Sequence, residues 1–243
     1  MKGYQPESSF SDEVSAQFHD TRGDETACVA FFASLAGDGP TLELAIGTGR
    51  IALPLANKGI RVDGIDFSTS MVDLLRSKPG GAELNVKIAD FKYVDMSDQY
   101  SLIFIIWNSL FNLLTQEDQA TCFENVAKHL VTGGLFAIEA YVPSFLHRMV
   151  DNQEVKTETI ETDSVRIGVL KHDPVHQMLE NSHVTLSATG TRFDPVVQRY
   201  AWPSELDLMA NNAGLELSDR WSGWNREKFD ADSARHISVY RKT

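Results

Sequence analysis

Residues 41–50 read Thr-Leu-Glu-Leu-Ala-Ile-Gly-Thr-Gly-Arg, and this stretch decides the fold. An apolar run typical of a β-strand meets a Gly-x-Gly turn, and a helical pattern begins after it. Glycine lets a ligand lie close to the backbone of such a turn, and the N-terminus of the following helix offers unpaired N–H groups. Glu43 lies four residues before Gly47, near the end of the strand. The stretch therefore predicts a ligand-binding turn that suits a cationic group, such as the amino group of an amino-acid tail.

The same turn also fits Gly47-x-Gly49-x-x-Ala52, a tolerated form of the dinucleotide-binding pattern. Glu43 argues against a dinucleotide, because its carboxylate would repel a pyrophosphate bound at the helix N-terminus. In addition, 40 residues precede the strand, whereas dinucleotide-binding domains often begin with it. The glycine turn alone does not separate the two classes of ligand.

The second predicted strand ends at Asp66, whose carboxylate can accept both hydroxyl groups of a ribose. Phe67 and Met71 follow it and offer apolar surface to an adenine. The alternative is that Asp66 only caps the helix predicted to begin near Ser68. As a ribose ligand, Asp66 fits either class of cofactor.

At this point the chain resembles the class I methyltransferases that use S-adenosylmethionine (SAM). The first family motif, an acidic residue followed by Gly-x-Gly-x-Gly, is similar to Glu43 through Gly49, with Ala45 in place of the first glycine. The second acidic position corresponds to Asp66, and the third to Asp90 in Ile-Ala-Asp-Phe, where the family's aspartate meets the adenine amino group. Residues 100–109 and 130–139 resemble the fourth and fifth motifs. The resemblance covers residues 12–142 in order and spacing, and the remainder loosely.

The resemblance implies SAM as the cofactor and a binding site built from the residues of these motifs. These are Glu43, Ala45, Gly47, Thr48, Gly49, Asp66, Phe67, Met71, Ala89, Asp90, Phe91, Trp107 and Asn108. For Trp107 the alternative is ordinary core packing, and for Asn108 it is capping of a helix that begins near Leu110.

The amino-acid composition indicates which partners and which cellular compartment to expect. The 243 residues carry 22 Lys and Arg against 34 Asp and Glu, a formal charge of −12, which argues against a nucleic-acid partner. We expect a cytoplasmic protein without a signal peptide or membrane span, because no long apolar segment occurs. The two cysteines, Cys28 and Cys122, fall in amphipathic helical patterns and are predicted to be reduced and buried. A homodimer is possible.

The order of elements predicts an α/β fold, a doubly wound Rossmann-like seven-stranded sheet with a C-terminal antiparallel hairpin. Core strands are predicted at residues 41–46, 61–65, 84–88, 102–107 and 135–142. Residues 157–162, 165–171, 178–187 and 192–202 predict a small inserted antiparallel sheet. The chain therefore divides into residues 1–142 with the cofactor-binding core, 143–202 with the inserted strands on the acceptor side, and 203–243 with the last helix and the hairpin. This arrangement is similar to that of the amino-sugar N-methyltransferases.

Methyl transfer from a sulfonium is an in-line displacement, in which positioning supplies much of the rate. An amine needs only to arrive unprotonated, whereas a hydroxyl usually needs a general base. Tyr141 and His147, at and beyond the end of the fifth strand, are the catalytic candidates; for His147 the alternative is a surface position beside Arg148. Residues predicted to contact the acceptor are Phe18, His19, Arg22, Ser109, Phe111, Tyr141 and Trp202. No metal is expected, because the histidines lack companions at metal-ligand spacing.

The sequence therefore predicts a SAM-dependent methyltransferase of a small molecule, with an amine acceptor slightly preferred over a hydroxyl. One alternative is a small-molecule O-methyltransferase with a histidine general base. Another is an NAD-dependent reductase, which Glu43 and the lack of a Tyr-x-x-x-Lys pair oppose. A third is a domain that binds SAM or a partner without catalysis.

Overall fold

A computed structural model describes residues 25–94 and 96–243. The strands in these residues are β1 (Thr41–Leu44), β2 (Val62–Asp66), β3 (Asn85–Ile88), β4 (Tyr100–Ile105), β5 (Leu130–Tyr141), β6 (Gln153–Ile160), β7 (Ser164–Asp173), β8 (Met178–Ser187), β9 (Gly190–Arg199), β10 (Leu215–Trp221) and β11 (Arg235–Lys242). The α-helices are α1 (Thr26–Leu35), α2 (Ala52–Ala56), α3 (Thr69–Ser77), α4 (Gln116–His129) and α5 (Pro203–Asn212). None of the helices in this part of the chain is long and apolar enough to cross a membrane.

The main sheet has seven strands in the order β10–β11–β5–β4–β1–β2–β3. Strands β1 to β5 are parallel, and β11 runs antiparallel to β5 and forms the closing hairpin with β10. The predicted seven-stranded sheet with its C-terminal hairpin is confirmed. The strand order reverses between β1 and β4, and open α/β sheets bind ligands outside the carboxyl ends of the strands at such a point.

Helices cover both faces of this sheet, which explains why its central strands are buried on both sides. All four residues of β1 are buried. On one face Phe32 of α1 stacks on Phe104 of β4, with ring centroids 4.1 Å apart. On the other face Phe123 of α4 packs edge-on against Phe136 of β5 at 5.3 Å. The two packed faces hold the carboxyl ends of β1 and β4 in a fixed position.

The inserted strands form a four-stranded antiparallel sheet in the order β6–β7–β8–β9, as predicted. Leu170, Leu179 and Tyr200 of this region belong to the same hydrophobic core as Phe123. A buried guanidinium strengthens the connection, because Arg199 contacts Glu205 at 2.7 Å and Gln119 at 2.8 Å. The inserted sheet is therefore fixed against the core. The division into three parts at residues 142 and 202 stays a prediction.

Several strand ends differ from the sequence prediction. Strand β4 ends at Ile105, because Trp107 and Asn108 adopt the left-handed conformation with φ of 59° and 60°. Strand β5 already begins at Leu130, where it pairs with Tyr100 of β4. Strand β9 ends at Arg199, so Trp202 precedes helix α5 and is not part of a strand.

Candidate active site

The glycine turn after β1 requires three residues with positive φ, namely Ala45 (57°), Gly47 (55°) and Gly49 (76°). Ala45 carries the strain that a glycine would avoid, which explains why glycine is usual at this position in the family motif. A side chain on Gly47 would meet no atom closer than 4.0 Å, so this side of the turn is open to a ligand. A Cβ on Gly49 would lie 2.9 Å from Leu75 of α3, so Gly49 allows the turn to pack against that helix.

Asp66 at the end of β2 holds the turn in place. Its Oδ2 accepts a hydrogen bond from the Gly47 N–H at 2.8 Å, and its Oδ1 accepts one from the Ser68 N–H at 2.8 Å. The cap of α3 is the Ser68 hydroxyl, which accepts from the Met71 N–H at 3.2 Å. Burial raises the pKa of Asp66 despite these bonds. Each carboxylate oxygen has a second lone pair, so Asp66 can accept ribose hydroxyls while it fixes the turn.

Glu43 is buried beneath the turn and incompletely paired. It accepts a hydrogen bond from the Ala52 N–H at the start of α2, and its Oε2 has no hydrogen-bond partner among the described residues. Burial raises its pKa well above the usual range of a glutamate. A carboxylate in this position is stabilised by a cationic ligand group that brings its own charge and N–H donors.

The turn after β4 lies opposite the glycine turn. Glu139 of β5 accepts from the Trp107 N–H at 2.8 Å, and the Asn108 side-chain oxygen accepts from the Tyr141 N–H at 2.7 Å. Asn108 therefore ties β4 to β5 through its side chain, and it makes no side-chain cap to the short helix at Ser109–Asn112. The guanidinium of Arg50 lies 4.7 Å from the centre of the Trp107 ring and covers it.

One cavity of about 630 Å³ connects these turns with the inserted sheet. On the core side it is lined by Glu25, Glu43, Ala45, Ile46, Gly47, Thr48, Arg50, Ile51, Asp66, Phe67, Met71, Phe91, Trp107, Asn108, Ser109 and Asn112. On the other side it is lined by Arg166, Asn181, His183, Thr185, Arg192, Asp194, Val196 and Gln198, from one face of β7, β8 and β9. Eleven of the predicted site residues therefore meet in one place, and an almost wholly polar wall faces them.

Other predicted site residues do not line this cavity. Ala89 and Asp90 follow β3, where the Asp90 carboxylate accepts from the Lys92 N–H at 2.8 Å. The Tyr141 ring is buried against Phe111, with centroids 5.0 Å apart, and burial raises the pKa of its hydroxyl. Gly49 serves the packing of the turn, as described above. Phe18, His19 and Arg22 lie outside the described residues.

His147 is also placed away from the cavity. Its ring stacks on Trp202 at 5.6 Å and meets the edge of His172 at 5.8 Å. His172 in turn contacts the Tyr200 hydroxyl at 3.0 Å. Strand five continues into a short helix at Pro143–Arg148, which turns His147 towards this aromatic cluster. The position of His147 shortly after β5 did not predict this change of direction of the chain.

The cavity wall on the inserted sheet was missed by the sequence reasoning. Arg166, His183, Thr185, Arg192 and Asp194 lie on the same face because residues two apart in a strand share a face. Alternation along residues 164–198 is the signal that could have found them. To use this alternation one must also know the register between the strands, and the sequence alone does not determine it.

Comparison with known proteins agrees with this geometry. The sequence model of the family described as "Methyltransferase domain" matches residues 41–134. The putative methyltransferase YqeM of Bacillus subtilis (strain 168) is 32% identical over 189 residues, which is 76% of each chain. The solved structure of the CcbJ methyltransferase from Streptomyces caelestis is 36% identical, with a TM-score of 0.90 over 99% of this chain and 100% of that one. The chain belongs to the class I SAM-dependent methyltransferases. The cypemycin N-terminal methyltransferase of a Streptomyces species is 24% identical over 206 residues, 84% of each chain.

Because the chain belongs to this family, the alternative prediction of an NAD-dependent reductase is excluded. SAM is the cofactor of the methyltransferase, and its sulfonium supplies the methyl group. The residues around the glycine turn fit it. Gly47 leaves its open side to the ligand, Asp66 faces the cavity with lone pairs for hydroxyls, and the unpaired Oε2 of Glu43 suits the amino group.

We expect Glu43→Gln to stabilise the ligand-free methyltransferase and to weaken SAM binding. A carboxyl whose pKa is higher in the folded than in the unfolded protein lowers stability as the pH rises above the ordinary range of glutamate. The neutral amide removes that loss, so the gain in melting temperature should be larger at pH 8 than at pH 5. Loss of a charged partner for the amino group costs about 1.5–3 kcal/mol, roughly 10- to 100-fold in affinity. Thermal unfolding and titration calorimetry measure both effects, with the exposed Glu124→Gln as a control. Unchanged SAM affinity would contradict the role of Glu43.

Proposed function

We propose that the methyltransferase transfers the SAM methyl group to an amine of a small polar molecule held between the glycine turn and the inserted sheet. The observation that carries this proposal is the single cavity that joins the cofactor-binding turns to the polar face of β7, β8 and β9. Its volume of about 630 Å³ falls within the range of small-molecule sites. A macromolecular acceptor would instead require an extended surface.

The wall on the inserted sheet suits an acceptor with several hydroxyl or amino groups. Asn181, Thr185 and Gln198 bring amide and hydroxyl groups, and Asp194 brings a carboxylate. Such side chains bind polar groups at fixed positions and thereby orient the acceptor. An amino sugar or a similar amine-bearing molecule has the matching donors and acceptors.

Two further observations favour an amine over a hydroxyl. The acidic composition of the chain, whose first explanation is solubility, also weakly favours a cationic substrate. The cypemycin relative is named an N-terminal methyltransferase. Tyr141 and His147 are not retained as catalytic residues in this proposal, because the structure places both outside the cavity lining.

The test uses amino sugars, each paired with the sugar in which a hydroxyl replaces the amine. Release of S-adenosylhomocysteine (SAH) and the mass of the product are measured for both members of a pair. We expect methylated product from amino sugars and none from their hydroxyl partners. Methylation of the hydroxyl partner alone would favour an O-methyltransferase. SAH release without any methylated sugar would show that the acceptor is not a sugar. Enzyme with Gly47→Val serves as the negative control.

A further inference from the structure

A carboxylate and an imidazole form a pair on the inserted sheet. His183 Nδ1 lies 2.7 Å from Glu158 Oε1 and 2.8 Å from Oε2. Its other ring nitrogen, Nε2, lies 3.1 Å from the Asn181 amide nitrogen. With Nδ1 donating to the carboxylate, the single lone pair of Nε2 accepts from the Asn181 NH₂ group, and it can take another proton when that amide turns away. The same arrangement orients general bases in other enzymes.

Two features of the backbone place Glu158 in this pair. The register between β6 and β7 shifts between Thr157 and Thr159, so Glu158 is the extra residue of a β-bulge. Bulges redirect a side chain and are frequent beside active sites. The carboxylate then lies over Gly168 of β7, where a Cβ would be 2.7 Å from Glu158 Oε1. Bulge and glycine together let Glu158 reach across one strand to His183 on the next.

The pair adjoins the cavity that holds the cofactor-binding turn. His183 lines this cavity together with Gly47 and Asp66. In the sheet it lies directly opposite Gly168 on one side and Asp194 on the other. The His147 position proposed from the sequence has no such access to the cavity.

Charged groups around His183 keep the carboxylates in place. From β7, Arg166 contacts Glu158 at 3.1 Å and Asp194 at 3.2 Å. From β9, Arg192 contacts Asp194 at 2.6 Å. Glu158 thus contacts both the Arg166 guanidinium and the imidazole, and its carboxylate can accept from Nδ1–H.

Asn181 can follow a change of protonation at His183. Its Oδ1 is buried and has no hydrogen-bond partner in the described part of the chain. An amide donates to a neutral Nε2 through its NH₂ group, and after rotation by half a turn it accepts from a protonated one through its oxygen. Both protonation states of the ring therefore find a partner.

We propose that His183 is the general base of the reaction and that Glu158 is the residue that positions it. The inference rests on the proposed amine acceptor. Nε2 takes one proton from the ammonium form of the acceptor, giving a neutral amine and an imidazolium stabilised by Glu158. The amine nitrogen then bonds to the methyl carbon as the carbon–sulfur bond breaks, and that electron pair goes to sulfur. The methylated ammonium and SAH leave, and the imidazolium returns its proton to solvent.

The first test is nitrogen NMR of the full chain labelled with ¹⁵N-histidine and bound to SAH. The His183 signals are identified by their loss in His183→Gln. We expect Nδ1 protonated and Nε2 unprotonated at pH 8. Gly168→Ala should reduce the Nδ1–H form, because the added methyl displaces the Glu158 carboxylate without removing it. Glu161→Gln, in the β6–β7 turn, is the control and should leave the signals unchanged. A proton held on Nε2 at pH 8 in the native protein would overturn the assignment.

The second test is the pH profile of methyl transfer to an amine. At pH 7 we expect His183→Gln to be slower by roughly 10- to 100-fold, and the loss should shrink towards pH 10 as the free amine loses its own proton. Gly168→Ala and Glu158→Gln should show the same recovery with smaller losses, and Glu161→Gln should match the native profile. Native activity in His183→Gln at pH 7 would refute the base but leave the proposed function intact. A loss that persists at all pH values would also refute the base, because it would show that His183 positions the amine rather than removing its proton. An inactive native enzyme that binds SAH would refute the amine proposal itself.

Discussion

Gly47→Val is expected to abolish SAM binding. Gly47 has a φ of 55°, and its open side faces the cavity. A β-branched residue at positive φ costs about 1–3 kcal/mol in backbone strain. Its side chain would also occupy the place of the ligand, so we expect a loss of affinity of roughly 100-fold or more. Titration calorimetry with SAM measures this loss of affinity.

The control for this variant is Gly59→Val, which matches the backbone strain but not the location. Gly59 has a φ of 82° in the exposed turn after α2, and a Cβ there would meet no atom within 4 Å. We expect Gly59→Val to lose stability and to keep its SAM affinity. If both variants bind SAM equally well, the open side of Gly47 is not where the cofactor lies.

Asp66→Ala is expected to weaken SAM binding by roughly 100-fold, since the ribose loses a charged acceptor worth about 1.5–3 kcal/mol and the turn loses its anchor. Both oxygens of Asp66 accept backbone N–H groups, one of them from Gly47. Far-UV circular dichroism should stay native, because the Ser68 hydroxyl still caps α3. Calorimetry on Asp66→Asn, which keeps one acceptor oxygen, should give an intermediate loss. Normal SAM affinity in Asp66→Ala would show that Asp66 only holds the turn and does not bind the ribose.

Much of the cofactor-side cavity could be predicted from the sequence because its determinants are local, although Asp90, predicted to meet the adenine amino group, does not line it. Glu43, Gly47 and Asp66 occur at the ends of two adjacent parallel strands, and each strand end is visible as a change from apolar to turn-forming residues. The alternative that Asp66 only caps the helix does not hold, because the Ser68 hydroxyl caps α3 while Asp66 accepts from the Ser68 N–H. The predicted ribose binding would use lone pairs of the carboxylate that the backbone hydrogen bonds leave unoccupied.

The acceptor side depends on contacts that no local pattern shows. Glu158 and His183 are 25 residues apart, and their contact needs both a bulge and a glycine on the strand between them. Tyr141 follows the apolar pattern of β5 to its end, and its ring therefore joins the core beside Phe111. Register and side-chain direction decide these outcomes, and the sequence gives neither directly.

Titration calorimetry of the full chain with SAM, SAH and NAD tests the central claim most directly. SAM and SAH should each bind at one site, because the Glu43 carboxylate, the open turn at Gly47 and Asp66 complement the amino-acid tail and the ribose. NAD should give no binding heat, since its pyrophosphate would meet Glu43. Tight binding of NAD without any binding of SAM or SAH would contradict the assignment.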